Sequence, residues 1–402
     1  MRRVIWAAMA VLVLTGFRTD PDAGAAPTAG TEGHPWAVPP LEAVVPDALG
    51  WDTIHLEGAT CGRGAPFAYF LNPAPDPDAG LFIWLMGGGA CLKDGLPPPG
   101  AAGIARQLHC MTYTNFAGPT DAMHLWTAAF PYFRRVAANP YADYTWVFVP
   151  YCTGDIHAGQ MTDAYDYDPS PDATFDVVHR GHLNVVAVLD DVARRYSVDR
   201  HVVLTGSSAG GFGAIFNFPE AMGRWPSAVL LPDAGIAPPV EDSLMAREGE
   251  RVAARWGTDK ILPDYCATQD CLADTMHLLA AHAAHYDGRA AKWRPFGYLQ
   301  GQQDGVLADY LEISRCSYEM GLRRGFQDAA GLTNLRAYLP ATSQHTFLAG
   351  LDGYVSASGV QMLEWFAAVA GATDPGELPA DAVDPWLACN PVYLPRGILG
   401  GA

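Results

Sequence analysis

The sequence has few basic residues. Its 402 residues include 25 Lys and Arg against 43 Asp and Glu, and its formal net charge is −18. Nucleic acids and anionic membranes attract basic surfaces, so neither is expected as a partner. A strongly polyanionic substrate is disfavoured because no basic cluster compensates. Tandem repeats and long low-complexity linkers are also missing, which excludes a repeat architecture and leaves one large or two ordinary globular domains.

Long apolar runs are missing beyond the N-terminal segment, so no later stretch is expected to cross a membrane. The N-terminal segment MRRVIWAAMAVLVLTGF has two arginines, an apolar run and then small residues, which is typical of a secretory signal peptide. We predict a signal peptide at residues 1–25 with cleavage after Ala25; an uncleaved anchor is the alternative. The mature protein is expected to be a secreted monomer, periplasmic or extracellular, without membrane insertion.

No C-x-x-C pair is present among the eight cysteines, which disfavours a zinc site. An even number of cysteines in an exported chain predicts disulfides instead. Cys266 and Cys271 are close enough to close a small loop, and Cys389 is expected to tie the proline-rich C-terminal segment to the body of the protein. The remaining cysteines are Cys61, Cys91, Cys110, Cys152 and Cys316.

Continuous apolar runs alternate with amphipathic patterns along the chain. Residues 184–197, for example, place apolar side chains on one helical face and charged side chains on the other. Such alternation predicts an α/β fold with a mostly parallel central sheet flanked by helices. The predicted strands are 66–71, 81–86, 144–150, 201–206, 227–233, 295–300 and 334–340, and the predicted helices lie near 121–137, 184–197, 239–256, 272–287 and 359–370.

The domain organisation follows from the same pattern. No convincing boundary interrupts the alternation, so we expect a single domain at residues 26–402. Insertions are predicted near 92–140 and 236–292, and a C-terminal arm at 371–402. Residues 72–80, rich in proline and aspartate, are predicted to form a hairpin loop.

Residues 202–213, VVLTGSSAGGFG, lead from a predicted strand into a helix through a G-x-S-x-G pattern. In this position the pattern is typical of the nucleophile elbow of α/β-hydrolases. Ser208 is therefore the predicted nucleophile, held in strained backbone angles. The N–H of Ala209, at the start of the helix, is predicted to stabilise developing negative charge. Ser207 is expected to be a packed turn residue.

A glycine run follows the predicted strand 81–86 and supplies a candidate oxyanion hole. Glycines allow backbone N–H groups to turn toward a carbonyl oxygen, and α/β-hydrolases place such a loop upstream of the elbow. We predict that the N–H groups of Gly89 and Ala90 join that of Ala209. A phosphate-binding loop is the alternative, but the pattern G-x-x-x-x-G-K-[ST] is absent.

The general base and the acid are expected downstream of Ser208. His345 lies between the last predicted strand and the last predicted helix, where this fold places its base. The histidines of the predicted helix 272–287 are expected to have surface or packing roles. Asp304 follows the strand 295–300 and is the predicted acid, with Asp233, at the end of the preceding strand, as its rival.

Five motifs in the right order carry a family resemblance. They are GGGAC (87–91), PYCTGDIHAG (150–159), HRGHLNVVAVLDDV (179–192), TGSSAGGFG (205–213) and PDAG (232–235). Together they resemble the pectin acetylesterase/Notum family of carboxylesterases. The resemblance implies an α/β-hydrolase fold with disulfide-tied loop insertions near Cys91 and Cys152. It also implies a Ser-Asp-His triad that matches Ser208, Asp304 and His345, with no cofactor.

Two positions depart from the motifs of that family. Ala90 stands in place of tryptophan in G-G-G-W-C, and Ser207 in place of the cysteine before the nucleophile. Loss of the indole is expected to widen the substrate pocket, so a specificity for acetylated pectin does not transfer. The predicted function is a secreted serine carboxylesterase that acts on a small or polymeric ester through an acyl-enzyme. Polysaccharide deacetylation, polyester or polyhydroxyalkanoate depolymerisation, lipid-acyl ester hydrolysis and an inactive binding protein on the same scaffold all stay open.

Further residues are candidates for contacts with the substrate. Asp155 and His157 follow a strand end, but no third ligand accompanies them, so no metal is predicted. We expect them to line the substrate cleft, with a structural turn tied by Cys152 as the alternative. The candidate substrate-binding residues are Gly88, Asp155, His157, Ser207 and Asp233.

Overall fold

The computed structural model describes residues 50–91, 133–137, 139–167, 175–266, 271–272, 274–287, 293–348, 354–387 and 389. The predicted signal peptide, most of the insertion near 92–140 and the end of the C-terminal arm lie outside these residues. Among the described helices, none has an apolar segment of the length needed to cross a bilayer.

A nine-stranded mixed sheet forms the centre of the described structure, in the order β1-β2-β4-β3-β7-β8-β9-β10-β11. The pairs β1–β2 and β2–β4 are antiparallel, and all other neighbours are parallel. The strands are β1 Asp52–Thr60, β2 Pro66–Asn72, β3 Leu81–Leu85, β4 Thr145–Val149, β7 Val202–Ser207, β8 Ala228–Asp233, β9 Phe296–Leu299, β10 Leu335–Leu339 and β11 Ala382–Val383. The strands β5 Tyr165–Tyr167 and β6 Phe175–Val177 form a separate antiparallel pair.

The seven apolar runs all form strands, because the strands at the centre of the sheet are buried on both faces. Every residue of β3, β4, β7 and β8 is buried, and such strands read as continuous apolar runs. The predicted mostly parallel sheet is therefore confirmed. The predicted hairpin loop at 72–80 is wrong, because β4 lies between the two strands that this segment connects.

Helices cover the sheet. α2 (Ala209–Arg224) packs against β7 and β8, and α7 (Met362–Gly371) packs against β8 and β9. Only one residue, Ser208, separates β7 from α2, which places the N-terminus of α2 at the carboxyl edge of the sheet. The helices are α1 Gly181–Arg195, α2 Ala209–Arg224, α3 Leu244–Trp256, α4 Thr275–Tyr286, α5 Gly305–Tyr310, α6 Arg315–Asp328 and α7 Met362–Gly371.

Two of the described disulfides join segments that are distant in the sequence, and a third closes a small loop. Cys61 at the end of β1 bonds to Cys152 after β4, and Cys316 at the start of α6 bonds to Cys389 in the C-terminal arm. Cys266 and Cys271 close the predicted small loop. Cys91 is also disulfide-bonded, whereas Cys110 lies outside the described residues. Bridges of this kind form in oxidising compartments.

The bridge between Cys61 and Cys152 is expected to stabilise the protein more than the small bridge does. It spans 91 residues, against 5 for the bridge between Cys266 and Cys271. The loop-entropy relation predicts losses of about 4–5 and about 2 kcal/mol when each is replaced by a serine pair. Urea denaturation of the two double variants measures both losses. An equal or larger loss for the 266–271 variant contradicts the expectation.

Candidate active site

Ser208 occupies a sharp turn between β7 and α2. Its backbone angles are φ 57° and ψ −122°, a strained conformation that non-glycine residues rarely adopt. The turn needs glycine beside it, because a Cβ at Gly210 would overlap the carbonyl oxygen of Leu85. The N–H of Ser208 donates to the carbonyl oxygen of Asp233 at 2.9 Å. This is the geometry of a nucleophile elbow.

His345 and Asp304 come together after β10 and β9. His345 Nδ1 lies 2.8 Å from Asp304 Oδ2. Asp304 is completely buried and is also the N-cap of α5, where its Oδ1 accepts from the N–H groups of Val306 and Leu307 at 3.0 and 2.9 Å. Gln300 Nε2 donates to Asp304 Oδ2 at 2.8 Å. These hydrogen bonds therefore fix the orientation of the carboxylate independently of its contact with the imidazole.

The environment of His345 suits a general base. Burial lowers the pKa of the imidazole, but the charge and hydrogen bond of Asp304 and the charge of Asp233 raise it more, so the net shift is upward. Its Nε2 is buried and has no hydrogen-bond partner within the described ranges. Because Nδ1 faces a carboxylate, the proton of the neutral ring belongs on Nδ1, and Nε2 is left as an acceptor.

Asp233, the rival acid, has other partners. Its Oδ2 accepts from Ser207 Oγ at 2.7 Å and from the N–H of Leu348 at 3.0 Å, and the N–H of Phe347 lies 3.0 Å from both carboxylate oxygens. Burial raises the pKa of Asp233 to about 6 even though these hydrogen bonds lower it. Of the two candidate acids, the one hydrogen-bonded to His345 is thus Asp304.

The predicted oxyanion loop follows β3 and runs against the elbow. A Cβ at Gly87 would lie 2.6 Å from the carbonyl oxygen of Ser207, so only glycine permits this approach. Gly89 has φ 79°. The hydroxyl of Tyr151 donates to Gly89 O at 2.9 Å and accepts from the N–H of Ile156 at 2.7 Å, which fixes the loop. The N–H of Ala90 points to the hydroxyl oxygen of Tyr310 at 3.4 Å.

An apolar pocket opens beside Ser208. The oxyanion-loop residues Gly89 and Ala90 and the first residue of α2, Ala209, line it together with the nucleophile. Its walls come mainly from α2, α3 and α5, and no charged side chain lines it. The other lining residues are Ile156, Phe212, Phe216, Ala237, Leu244, Met245, Val252, Ala253, Trp256, Thr258, Leu272, Thr275, Val306, Leu307, Tyr310 and Leu311.

The structure corrects the expectation that Asp155 and His157 line the cleft. Asp155 accepts from Thr153 Oγ1 at 2.6 Å and from the N–H of Gly181 at 2.7 Å, and its pKa is raised to about 6 by burial. His157 Nε2 donates to Met86 O at 2.8 Å, and burial lowers its pKa to about 4. Both side chains are buried and stabilise the loop through these hydrogen bonds. Ile156, between them in sequence, faces the pocket instead.

The other three candidate substrate-binding residues also lie outside the pocket lining. The side chain of Ser207 is directed to Asp233 rather than to the cleft, as the packed-turn interpretation of this residue expects. Gly88 is part of the oxyanion loop without lining the pocket. Sequence reasoning missed the role of Tyr151, which lies inside the motif PYCTGDIHAG, and the roles of Gln300 and Tyr310, which belong to no motif. All three reach the site only through the fold.

Comparison with known proteins agrees with this geometry. A family model described as pectinacetylesterase matches residues 51–273. Among solved structures, one crystal form of the Wnt deacylase Notum from Drosophila matches with a TM-score of 0.61 and 15% identity over 85% of this chain and 99% of that one. A second crystal form gives 0.56 and 14% over 78% and 91%. No curated protein matches the sequence significantly. The fold is thus that of an α/β-hydrolase, and the chain belongs to the pectinacetylesterase family.

Proposed function

We propose that this protein is a secreted serine carboxylesterase that works through an acyl-enzyme. The observation that carries the proposal is the strained Ser208 in the apolar pocket, together with the hydrogen-bonded pair of His345 and the buried Asp304. The name of the family, pectinacetylesterase, denotes an enzyme that hydrolyses esters. The structurally similar protein Notum is described as a deacylase. The disulfides suit an extracellular or periplasmic site of action.

The chemistry follows from the atoms that are available. Ser208 Oγ attacks the ester carbonyl, and His345 Nε2 takes its proton and then gives it to the leaving alcohol. Asp304 holds the imidazole by its Nδ1–H and stabilises the imidazolium. The N–H groups of Gly89, Ala90 and Ala209 are the proposed donors to the oxyanion. In the second half-reaction His345 takes a proton from water, the water attacks the acyl-enzyme, and the proton passes to Ser208 Oγ as the acid is released. Neither half-reaction requires a metal or cofactor.

The pocket favours an apolar acyl group that is longer than acetyl. Its walls are aliphatic and aromatic, with polar side chains only at Ser208, Thr258, Thr275 and Tyr310. A carbohydrate chain needs several polar partners, which this pocket does not offer. The alcohol side of the ester stays open, so polyester and lipid-acyl substrates are both compatible with the proposal.

A series of p-nitrophenyl esters from acetate to octanoate tests the proposal. We expect kcat/KM to rise with acyl length by up to about fourfold per methylene, because each buried methylene contributes about 0.8 kcal/mol. Ala90→Trp is expected to reduce the octanoate-to-acetate ratio by at least about tenfold, because Ala90 lines the pocket and the indole would take the space of several methylenes.

Ala330→Trp, in the exposed turn that follows α6, is the matched control for adding an indole elsewhere. It is expected to leave the ratio unchanged. A wild-type protein that prefers acetate overturns the acyl preference. Equal losses on acetate and octanoate in Ala90→Trp would indicate that a neighbouring loop already fills the space beside residue 90.

A further inference from the structure

The carboxylate of Asp233 connects the two halves of the site. On one side it accepts from Ser207 Oγ, the residue before the nucleophile, at 2.7 Å. On the other side it accepts from the N–H groups of Phe347 and Leu348, two and three residues after His345. Its own backbone carbonyl accepts from the N–H of Ser208. Asp233 therefore makes hydrogen bonds to both the elbow and the base loop.

We propose that Asp233 is a positioning residue of the active site, which holds the loop of His345 in register with Ser208 and supports the charge that His345 acquires during the reaction. This inference rests on the proposed function, because it assigns Ser208 and His345 as nucleophile and base. Asp304 keeps the direct contact with the imidazole. Asp233 acts by holding the loop of His345 in place and by the electrostatic field of its carboxylate.

The positional part of the argument is geometric. Phe347 and Leu348 are buried, and their backbone N–H groups end on a single completely buried carboxylate. Thr346, between these residues and the base, has φ 66°, so the loop needs an external anchor to keep this strained conformation. Displacement of a catalytic group by about 1 Å can reduce the rate about 10²-fold. Loss of the anchor should therefore reduce kcat.

The electrostatic part concerns the groups that face His345. These are the carboxylates of Asp304, after β9, and of Asp233, at the end of β8, and both raise the pKa of His345 against the effect of its burial. Removal of the negative charge on Asp233 should lower the pKa of His345. The base has to be neutral, so the acid limb of the rate profile should move to lower pH.

Asp233→Asn removes the charge and keeps the shape of the side chain. For p-nitrophenyl butyrate we expect kcat to fall by about 10²-fold. The midpoint of the acid limb of kcat/KM should move to lower pH, because the charge of Asp233 raises the pKa of His345 in the wild type. Ser207→Ala removes one hydrogen-bond donor to Asp233 but keeps the carboxylate. It should lower kcat and the midpoint of the acid limb by smaller amounts than Asp233→Asn does.

Asp155→Asn is the matched control. Asp155 is also completely buried, also accepts from a hydroxyl and a backbone N–H, and also has a pKa raised to about 6, but it is not among the groups that shift the pKa of His345. It is expected to lower stability and to leave the acid limb in place. A fall in kcat without a shift of the midpoint in Asp233→Asn would mean that Asp233 only supports the fold.

A second measurement does not depend on turnover. The imidazole of His345 is titrated by NMR in the Ser208→Ala background, with its signal assigned by its loss in His345→Gln. The inference requires a lower pKa of His345 in Asp233→Asn, or in Ser207→Ala if the first variant does not fold. An unchanged titration overturns it. Wild-type protein that hydrolyses no ester, yet shows the shift, would overturn the proposed function and leave only the effect of Asp233 on the pKa of His345.

Discussion

Ser208→Ala is expected to lower kcat/KM for p-nitrophenyl esters by about 10⁴–10⁶-fold, to the level that binding and the oxyanion donors give without a nucleophile. The acyl-enzyme cannot form without Oγ, so the burst phase should vanish as well. The free energy of unfolding should change little, because Ser208 makes no capping hydrogen bond to α2 although it stands at the N-cap position.

Ser314→Ala is expected to show the opposite result, a loss of stability without a loss of activity. Ser314 is the N-cap of α6 and accepts from the N–H of Ser317 at 2.9 Å, and it does not line the pocket. Its loss should cost about 1 kcal/mol of stability and leave activity intact. Turnover that survives in Ser208→Ala would falsify the serine mechanism. Inactive wild-type protein with an ordered pocket would instead favour a binding protein on the same scaffold.

The parts of the fold that could be predicted from sequence are those whose residues are buried on both sides. The strand 202–207 is buried along its whole length. The elbow at Ser208 could be predicted beside it, because a buried strand, a tight turn and a helix start each leave a clear local pattern. The positions of His345 and Asp304 after strand ends could be predicted from the α/β pattern, whereas their roles as base and acid stay a prediction. Their mutual contact, at 2.8 Å, is a fact of the tertiary structure.

Other elements could not be predicted because little of their surface is buried. β1, Asp52–Thr60, is an edge strand with mostly exposed or half-buried residues, and it lacks a continuous apolar run. α6 buries only five of its fourteen residues, two of them glycine, so its helical pattern is weak. The pocket wall formed by α3 is amphipathic in sequence, but nothing in the sequence tells which surface its apolar face covers. Substrate selectivity therefore emerges only in the folded structure.

The sequence also does not show which way a loop turns its side chains, and this is why Asp155 and His157 were predicted to line the cleft. Both lie in a strand-end loop, where polar residues commonly face a ligand, and the sequence gives no sign that the loop turns them inward. In the structure, left-handed backbone at Ile156 and His157 reverses the loop, with φ 51° and 58°. The polar side chains then satisfy buried backbone groups, and the apolar one reaches the pocket.

Asp304→Asn is expected to lower kcat about 10⁴-fold, close to the effect of removing the nucleophile. The amide keeps an oxygen that can cap α5 through Val306 and Leu307, so the backbone should stay in place. The amide NH₂, however, would donate to Nδ1 of His345 and drive the ring proton to Nε2, where it blocks proton transfer from Ser208. The pKa of His345 should also fall, because the charge and hydrogen bond of Asp304 raise it in the wild type.

Asp274→Asn separates this effect from helix capping. Asp274 caps α4 through the N–H groups of Met276 and His277 at 2.9 and 3.1 Å, much as Asp304 caps α5. Both asparagine variants should lose similar, small amounts of stability in thermal unfolding, and only Asp304→Asn should lose kcat. If Asp304→Asn kept activity within about tenfold of the wild type while Asp233→Asn abolished it, the acid of the triad would be Asp233. His345 would then have to exchange its 2.8 Å partner for a carboxylate that three other donors already occupy, which is why we expect the opposite result.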